Sequence, residues 1–407
     1  MAAVSILGFH AWLYSSPDSS TDGEPVEFGL LSRSVLPNLA LGVTLLFVLS
    51  AFLLYRPFAA ALVREQRPPS LGRYLRNRAL RIFPAYWAIL LATALVLQTA
   101  LHRAPDGSLH RGALTQPGDL LLDATFGQTY VPRMLLSGIG PAWALTVVVT
   151  FYLSLPLLVL LAATLARRMA TRRGRLIAAM APALLLVVVG LASKLLAAYV
   201  ITGSGGWGPT WHAVLERSYL VHADMFGLGL ALAVIVAENE DGRLGLPRLW
   251  RPAAWLAALG FACAGVKFGT DHVQAIGNPA AFLYDALTAV ACAIFLALVV
   301  LPQTASRRSP LLVRVLETRV FVSIGVVSYS LFLWHVPLAY WLQSHGLTVA
   351  GRDGLVLNVI VLLVTAFAFS TITYRYLERP ALLRKSRGWH RPASPLRRPG
   401  TVRARRG

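Results

Sequence analysis

The sequence predicts an all-α membrane protein of about ten transmembrane helices with both termini in the cytoplasm. Three observations predict it. The 407-residue chain is 56% hydrophobic and only 14% charged, whereas soluble domains carry about a quarter charged residues. Its apolar residues come in long blocks, among them Leu39 to Leu54, Ala85 to Leu97 and Val356 to Phe369. A bilayer interior without water forces such blocks to be helices, and the weak alternation of a β-barrel is absent. Basic residues, finally, concentrate in every second loop.

The expected spans are 1–14, 39–62, 82–101, 139–166, 176–200, 218–237, 252–268, 280–301, 320–345 and 355–377. The loops 64–81, 167–175, 238–251 and 303–319, with the tail after 378, hold 28 Lys and Arg; the intervening loops hold six. Positive charge marks the cytoplasmic side. An even number of spans brings both termini to that side, in agreement with the charges. The net charge of +20 would suggest nucleic acid in a soluble protein. Distributed in this way it reads as membrane orientation, and no nucleic-acid partner is expected.

The first span offers only about fourteen residues from Met1, short of the roughly twenty that a crossing needs. It lacks the basic leader and cleavage site of a signal peptide, so a truncated first helix or a late start is expected. The stretch from His102 to Gly138 is long, polar and external. With Ser15 to Asn38 it is the expected docking place for an extracytoplasmic acceptor. Residues 1–378 then form one transmembrane domain. Residues 379–407, rich in Arg and Pro, form a basic cytoplasmic tail expected to be disordered or to rest on anionic headgroups. Cys263 and Cys292 each fall in an apolar block; they read as packed thiols, with neither disulfide nor metal spacing.

No segment resembles a soluble catalytic domain, so chemistry must happen inside the bundle. Ionisable residues there are functional candidates. His335 lies in the ninth span with Ser328, Leu331 and Phe332 on its helical face; a structural hydrogen bond between helices is the competing reading. His10 falls near the outer end of the first span, where a neutral imidazole could act as general base towards a hydroxyl, or sit idle at the interface. Arg78 and Arg81 are three apart and share a helical face ahead of Pro84, which fits the first turn of a membrane helix. Paired guanidiniums suit phosphates, although anchoring to headgroups would use the same residues. Trp143 to Tyr152 opens the fourth span after Pro141, a helix start signal; its aromatics also fit interface anchors. Asp224, beside His222 and a Gly-rich run, is a candidate intramembrane acid. Asp285 is a second.

Together these strings resemble, in order and over nearly the whole chain, the acyltransferase-3 family of integral membrane acyltransferases. Gly42 to Phe52 is similar to the family's second-helix signature. Arg78 and Arg81 with Ile82-Phe83-Pro84 match its paired-arginine motif. Trp143 to Tyr152 aligns with its Trp-Ser-Leu-x-x-Glu-x-x-Phe-Tyr motif, Ser328 to His335 with its Ser-Tyr-x-Leu-Tyr-Leu-Trp-His string, and Tyr374 to Pro380 with its closing motif. The resemblance implies an O-acyltransferase of the cytoplasmic membrane, with no bound cofactor or metal and with acyl-CoA, acetyl-CoA above all, as co-substrate. The implied acceptor is a hydroxyl of an envelope glycan, a lipid-linked sugar or a secreted glycosylated metabolite. Arg78 and Arg81 would bind the acyl-CoA and His10, with His335, would be catalytic. Trp143, Tyr152, Ser328 and Tyr329 would position substrate.

Two departures from the family pattern matter. The basic residue that precedes the first-helix histidine is missing, and the acid of the fourth-helix motif falls at Val148. Asp224 is the candidate replacement. Loss of a charge-orienting partner costs orders of magnitude in rate. A non-catalytic relative that moves or scaffolds a glycan or lipid is therefore the alternative. A secondary transporter is a weaker one, since no internal repeat is visible.

Overall fold

The computed structural model describes residues 2–14, 35–104, 106–199, 206–239, 247, 249–269, 279–301, 311–349, 351 and 354–386. Helices dominate. In chain order they are α1 (Ala2–Leu13), α2 (Leu41–Val63), α3 (Leu71–Leu91), α4 (Pro117–Ala124), α5 (Ala142–Arg167), α6 (Arg172–Tyr199), α7 (Trp211–Glu216), α8 (Ala223–Asn239), α9 (Trp250–Gly269), α10 (Pro279–Val300), α11 (Leu311–Leu316), α12 (Arg319–Ser344), α13 (Gly354–Thr373) and α14 (Arg379–Ser386). An antiparallel hairpin of β1 (Ala100–Arg103) and β2 (Leu109–Gly112) lies between α3 and α4, with Ala100 opposite Gly112.

A helix stands at each of the ten places where an apolar block predicts a span. Among the described residues seven are long and apolar enough to cross a bilayer: the helices that contain α2, α3, α5, α6, α10, α12 and α13. The chain is a multi-pass membrane protein on that ground. Of the other three, α1 has 12 residues and α8 has 17. Helix α8 is the innermost element, buried along most of its length between α2 and α6. Small residues permit that approach. A Cβ on Gly229 would sit 2.3 Å from the Val48 carbonyl oxygen of α2, and one on Gly190 would sit 2.3 Å from the Asp224 nitrogen.

Two expectations are corrected. The third helix starts at Leu71 rather than near residue 82. Ser70 caps it, its hydroxyl accepting from the Arg73 N–H, and the Arg-rich stretch that follows consists of good helix formers. Pro84 thus lies in the helix interior, and Arg78 and Arg81 are part of the helix body. The segment 102–138 is a folded cap and not a plain loop. It holds most of the hairpin, α4 and two single 3-10 turns, Gln128–Tyr130 and Pro132–Met134. The first eight residues of the tail are helical, as α14; the rest of it, and residues 15–34 of the other expected docking loop, lie outside the described residues. Cys263 is exposed on α9 and Cys292 half-buried on α10, so only the second fits a packed thiol.

Ion pairs mark one end of the bundle: Arg172 to Glu238 at 2.6 Å and Arg175 to Glu65 at 2.5 Å. The hairpin and its cap mark the other. The cap is pinned by Asp123 at the end of α4, which is fully buried. Its main-chain oxygen accepts from the Tyr86 hydroxyl at 2.7 Å, and its carboxyl accepts from Ser137 Oγ at 3.0 Å. Gly138, at φ +69°, lies against that carboxyl and bridges to Leu101. Burial pushes the Asp123 carboxyl up to about 7, against about 3.9 in an unfolded chain. The folded cap therefore binds a proton that the unfolded chain releases. Its contribution is complete below about pH 4 and is lost as the pH rises through 7. Thermal unfolding of the purified protein should show a lower Tm at pH 8 than at pH 5, and Asp123→Asn should flatten that dependence.

Candidate active site along helix α12

From Ser330 to Tyr340 every residue of α12 is buried, so each polar side chain there needs a partner inside the protein. The partners form a column. Ser330 Oγ donates to Glu378 Oε1 at 2.5 Å, and Glu378 Oε2 accepts from Arg81 at 2.5 Å. Glu378 ends a π-helical turn, Tyr374–Glu378, between α13 and α14. Trp334 Nε1 donates to Thr373 Oγ1 at 2.9 Å. His335 meets His10 of α1, with Nε2 3.2 Å from Nδ1. Tyr340 donates to the Tyr14 hydroxyl at 2.8 Å. Arg111 of β2 donates to Gln343 Oε1 at 2.8 Å and lays its guanidinium 4.0 Å from the Tyr340 ring centre. At 1.5 Å per residue, Ser330 to Gln343 spans about 20 Å of helix axis.

The hydrogen bonds assign the histidine tautomers. His10 Nδ1 lies 3.0 Å from the Ile6 carbonyl oxygen. A carbonyl only accepts, so Nδ1 carries the proton and Nε2 keeps its lone pair. His335 Nε2, facing the same N–H, is then an acceptor. The His335 proton sits on Nδ1, which faces the Leu331 and Phe332 carbonyls of its own helix without a well-aligned bond. His10 is thus held in one orientation by a carbonyl and a second imidazole, with Nε2 available as a base.

The arginines lie on the other side of Glu378 from the histidines. The Arg78 guanidinium is 5.8 Å from the Tyr152 ring centre, and that of Arg81 is 5.5 Å from the Tyr329 ring centre. Both rings are fixed from outside: Tyr74 donates to the Tyr152 carbonyl at 3.2 Å, and Tyr329 to the Ile82 carbonyl at 2.8 Å. Arg81 carries a counter-charge, Glu378. Arg78 has a buried Nε without a hydrogen-bond partner.

Not every residue singled out from the sequence joins this column. The Ser328 hydroxyl donates to the Gly325 carbonyl of its own helix at 2.8 Å; Ser330, two positions on, is the serine in the core. Trp143 packs against His222, ring centres 5.8 Å apart, and Trp207. Asp224 does not supply the carboxylate of the fourth-helix motif. Lys194 of α6 holds it at 2.6 Å, both side chains buried. Val148 is 3% exposed within the main apolar core, beside the stacked Phe151 and Phe226. Among the described residues no group of three or more His, Cys, Asp or Glu is placed to hold a metal. Ser330, Glu378, Tyr14, Tyr340 and Arg111 escape sequence reasoning because their partners lie tens to hundreds of residues away. Lys194 carried a readable signal: it is a lysine inside an apolar block.

A bundle of apolar helices with a chain of buried polar pairs defines a membrane protein with an internal site. The acyltransferase-3 family, described as an acyltransferase domain, matches residues 1–375. The chain belongs to that family. No curated protein and no solved structure matches it.

Removal of Glu378 should leave Arg81 half-buried and uncompensated and Ser330 without its acceptor. Glu378→Ala is expected to cost about 3 kcal/mol. The double variant Arg81→Met, Glu378→Met should recover most of that loss in thermal unfolding.

Proposed function

We propose that the protein is an O-acyltransferase of the cytoplasmic membrane. It moves an acyl group, acetyl in the first instance, from acyl-CoA to a hydroxyl of an envelope glycan, a lipid-linked sugar or a secreted glycosylated metabolite. The observation that carries this reading is the His10–His335 contact, which leaves one imidazole nitrogen oriented and unprotonated. In the reaction His10 Nε2 takes the proton of the acceptor hydroxyl as its oxygen attacks the thioester carbonyl. The tetrahedral centre then expels the thiolate, and His10 returns the proton to sulfur. The imidazolium that forms in between is stabilised by the Ile6 carbonyl and by His335 Nε2. Arg78 and Arg81 grip the phosphates of the donor, with Tyr152 and Tyr329 as flat walls. The proposal places the arginines at the cytoplasmic side and the hairpin cap at the acceptor side.

This arrangement gives a reason why position 148 can lack an acid: the orienting partners of His10 are Ile6 O and His335. Purified protein in nanodiscs, supplied with labelled acetyl-CoA and a mixture of glycan acceptors, should transfer label. His10→Ala should lower the rate by a factor of about 100 to 10,000. Arg78→Ala should raise KM for acetyl-CoA but leave turnover of acetyl-pantetheine, which lacks the nucleotide phosphates, unchanged. Transfer by His10→Ala at the wild-type rate would overturn the assignment.

A non-catalytic relative awaiting an acid at 148 would gain activity from Val148→Glu. The packing predicts the opposite. A carboxyl there enters a dry apolar core, so Val148→Glu should lower stability by at least about 2 kcal/mol and confer no activity, as read by unfolding and by transfer.

A further inference from the structure

Between α6 and α8 the chain buries polar side chains that the fold leaves without partners. Arg217 is 2% exposed; its Nη1 donates to the Ala213 carbonyl at 3.0 Å, yet Nε and Nη2 have no acceptor. Ser218 Oγ, both ring nitrogens of His222 and Oδ1 of Asp224 are buried and unpartnered as well. His222 is 7% exposed and Asp224 3%. Each such atom costs about 1–3 kcal/mol if it stays unpaired, and folds rarely accumulate them. Six within residues 217–224 point to something that completes them.

The same residues are strung along a ladder of flat surfaces. The Arg217 guanidinium lies 3.5 Å from the Trp207 ring centre. Trp207 stands 6.3 Å from Trp143, which is 5.8 Å from His222, itself 5.4 Å from Phe47. The upper rung is open: Trp207 is 46% exposed, and its carbonyl is held by Arg103 of the hairpin. The lower end closes on the Lys194–Asp224 pair.

The chemistry of the unpaired atoms selects the occupant. Arg217 offers donors, Asp224 an acceptor, His222 one of each, and the Ser218 hydroxyl serves either way. An acyl chain would leave all of them unpaired. An anion would meet the Asp224 carboxylate. Only a neutral molecule bearing several hydroxyls satisfies both senses, and the C–H faces of a sugar-like ring suit the indoles. We propose that Trp143, Trp207, Arg217, Ser218, His222 and Asp224 form a binding site for a neutral polyhydroxylated ring, entered beside the hairpin. That this ring belongs to the acceptor rests on the function proposed above; the site itself does not.

Titration calorimetry of the full chain in nanodiscs tests it, with cellobiose and N,N′-diacetylchitobiose as probes and glucuronate and octanoate as controls. A neutral disaccharide should bind saturably and the controls should not. Ser218→Ala and His222→Ala should each weaken binding about tenfold. Trp207→Leu, at the half-exposed rim where folding is least at risk, should do the same. His10→Ala and Arg78→Ala should bind like the wild type. Absence of saturable binding to either neutral sugar would mean that water alone meets these atoms and would overturn the proposal. Equal affinity in Ser218→Ala and Trp207→Leu would do so too. Binding retained without any acyl transfer would count only against the enzymatic reading.

Discussion

The exclusion of water from the middle of α12 is the constraint on which the rest of the molecule depends. A helix that carries a serine, a tryptophan, a histidine and a tyrosine through a waterless interior must find partners for all four. Each partner comes from a different part of the chain: Glu378 from a π turn, Thr373 from α13, His10 and Tyr14 from α1. The chain termini are thereby tied to one internal helix. The hairpin is tied to it through Arg111. The site is assembled by the need to pair α12, and the order of the bundle follows from it.

Much of this was legible in the sequence, for an identifiable reason. Hydrophobic blocks of membrane length have only one way to fold, so helices stand at all ten expected places. The motif residues His10, His335, Arg78, Arg81, Tyr152 and Tyr329 are strings of unusual chemistry in an apolar background, and such strings stand out. What stayed hidden depended on distance or on competition between local signals. Ser70 and the helix-forming arginines outweighed Pro84 as the start of α3, because a proline deep in a helix can be tolerated where neighbouring helices supply packing. The cap hairpin carries little periodicity of its own. Ser330 was preferred over Ser328 by the fold because helix phase, read one residue pair at a time, does not say which neighbour brings the acid. Lys194 and Asp224 were both visible; that they neutralise each other was not.

Position 148 shows how a family pattern and a particular fold can disagree without contradiction. The pattern asks for an acid there. This chain surrounds the position with aromatic and aliphatic side chains, and meets the orienting need of the histidine through a carbonyl one turn back and a second imidazole. A main-chain carbonyl is a weaker partner for an imidazolium than a carboxylate, yet it carries no desolvation cost of its own, because it is already part of the helix.

The π turn before α14 gives the chain a peculiar sensitivity to length. A π turn holds one residue more than the α turn it replaces, and one residue of helix corresponds to a rotation of about 100°. Glu378 faces Arg81 only because that extra residue is present. Deletion of any single position among Tyr374 to Leu377, whatever its identity, would swing the carboxylate out of the bundle and bring a different side chain to the arginine. Spacing, more than composition, is what this short stretch has to keep as the sequence drifts.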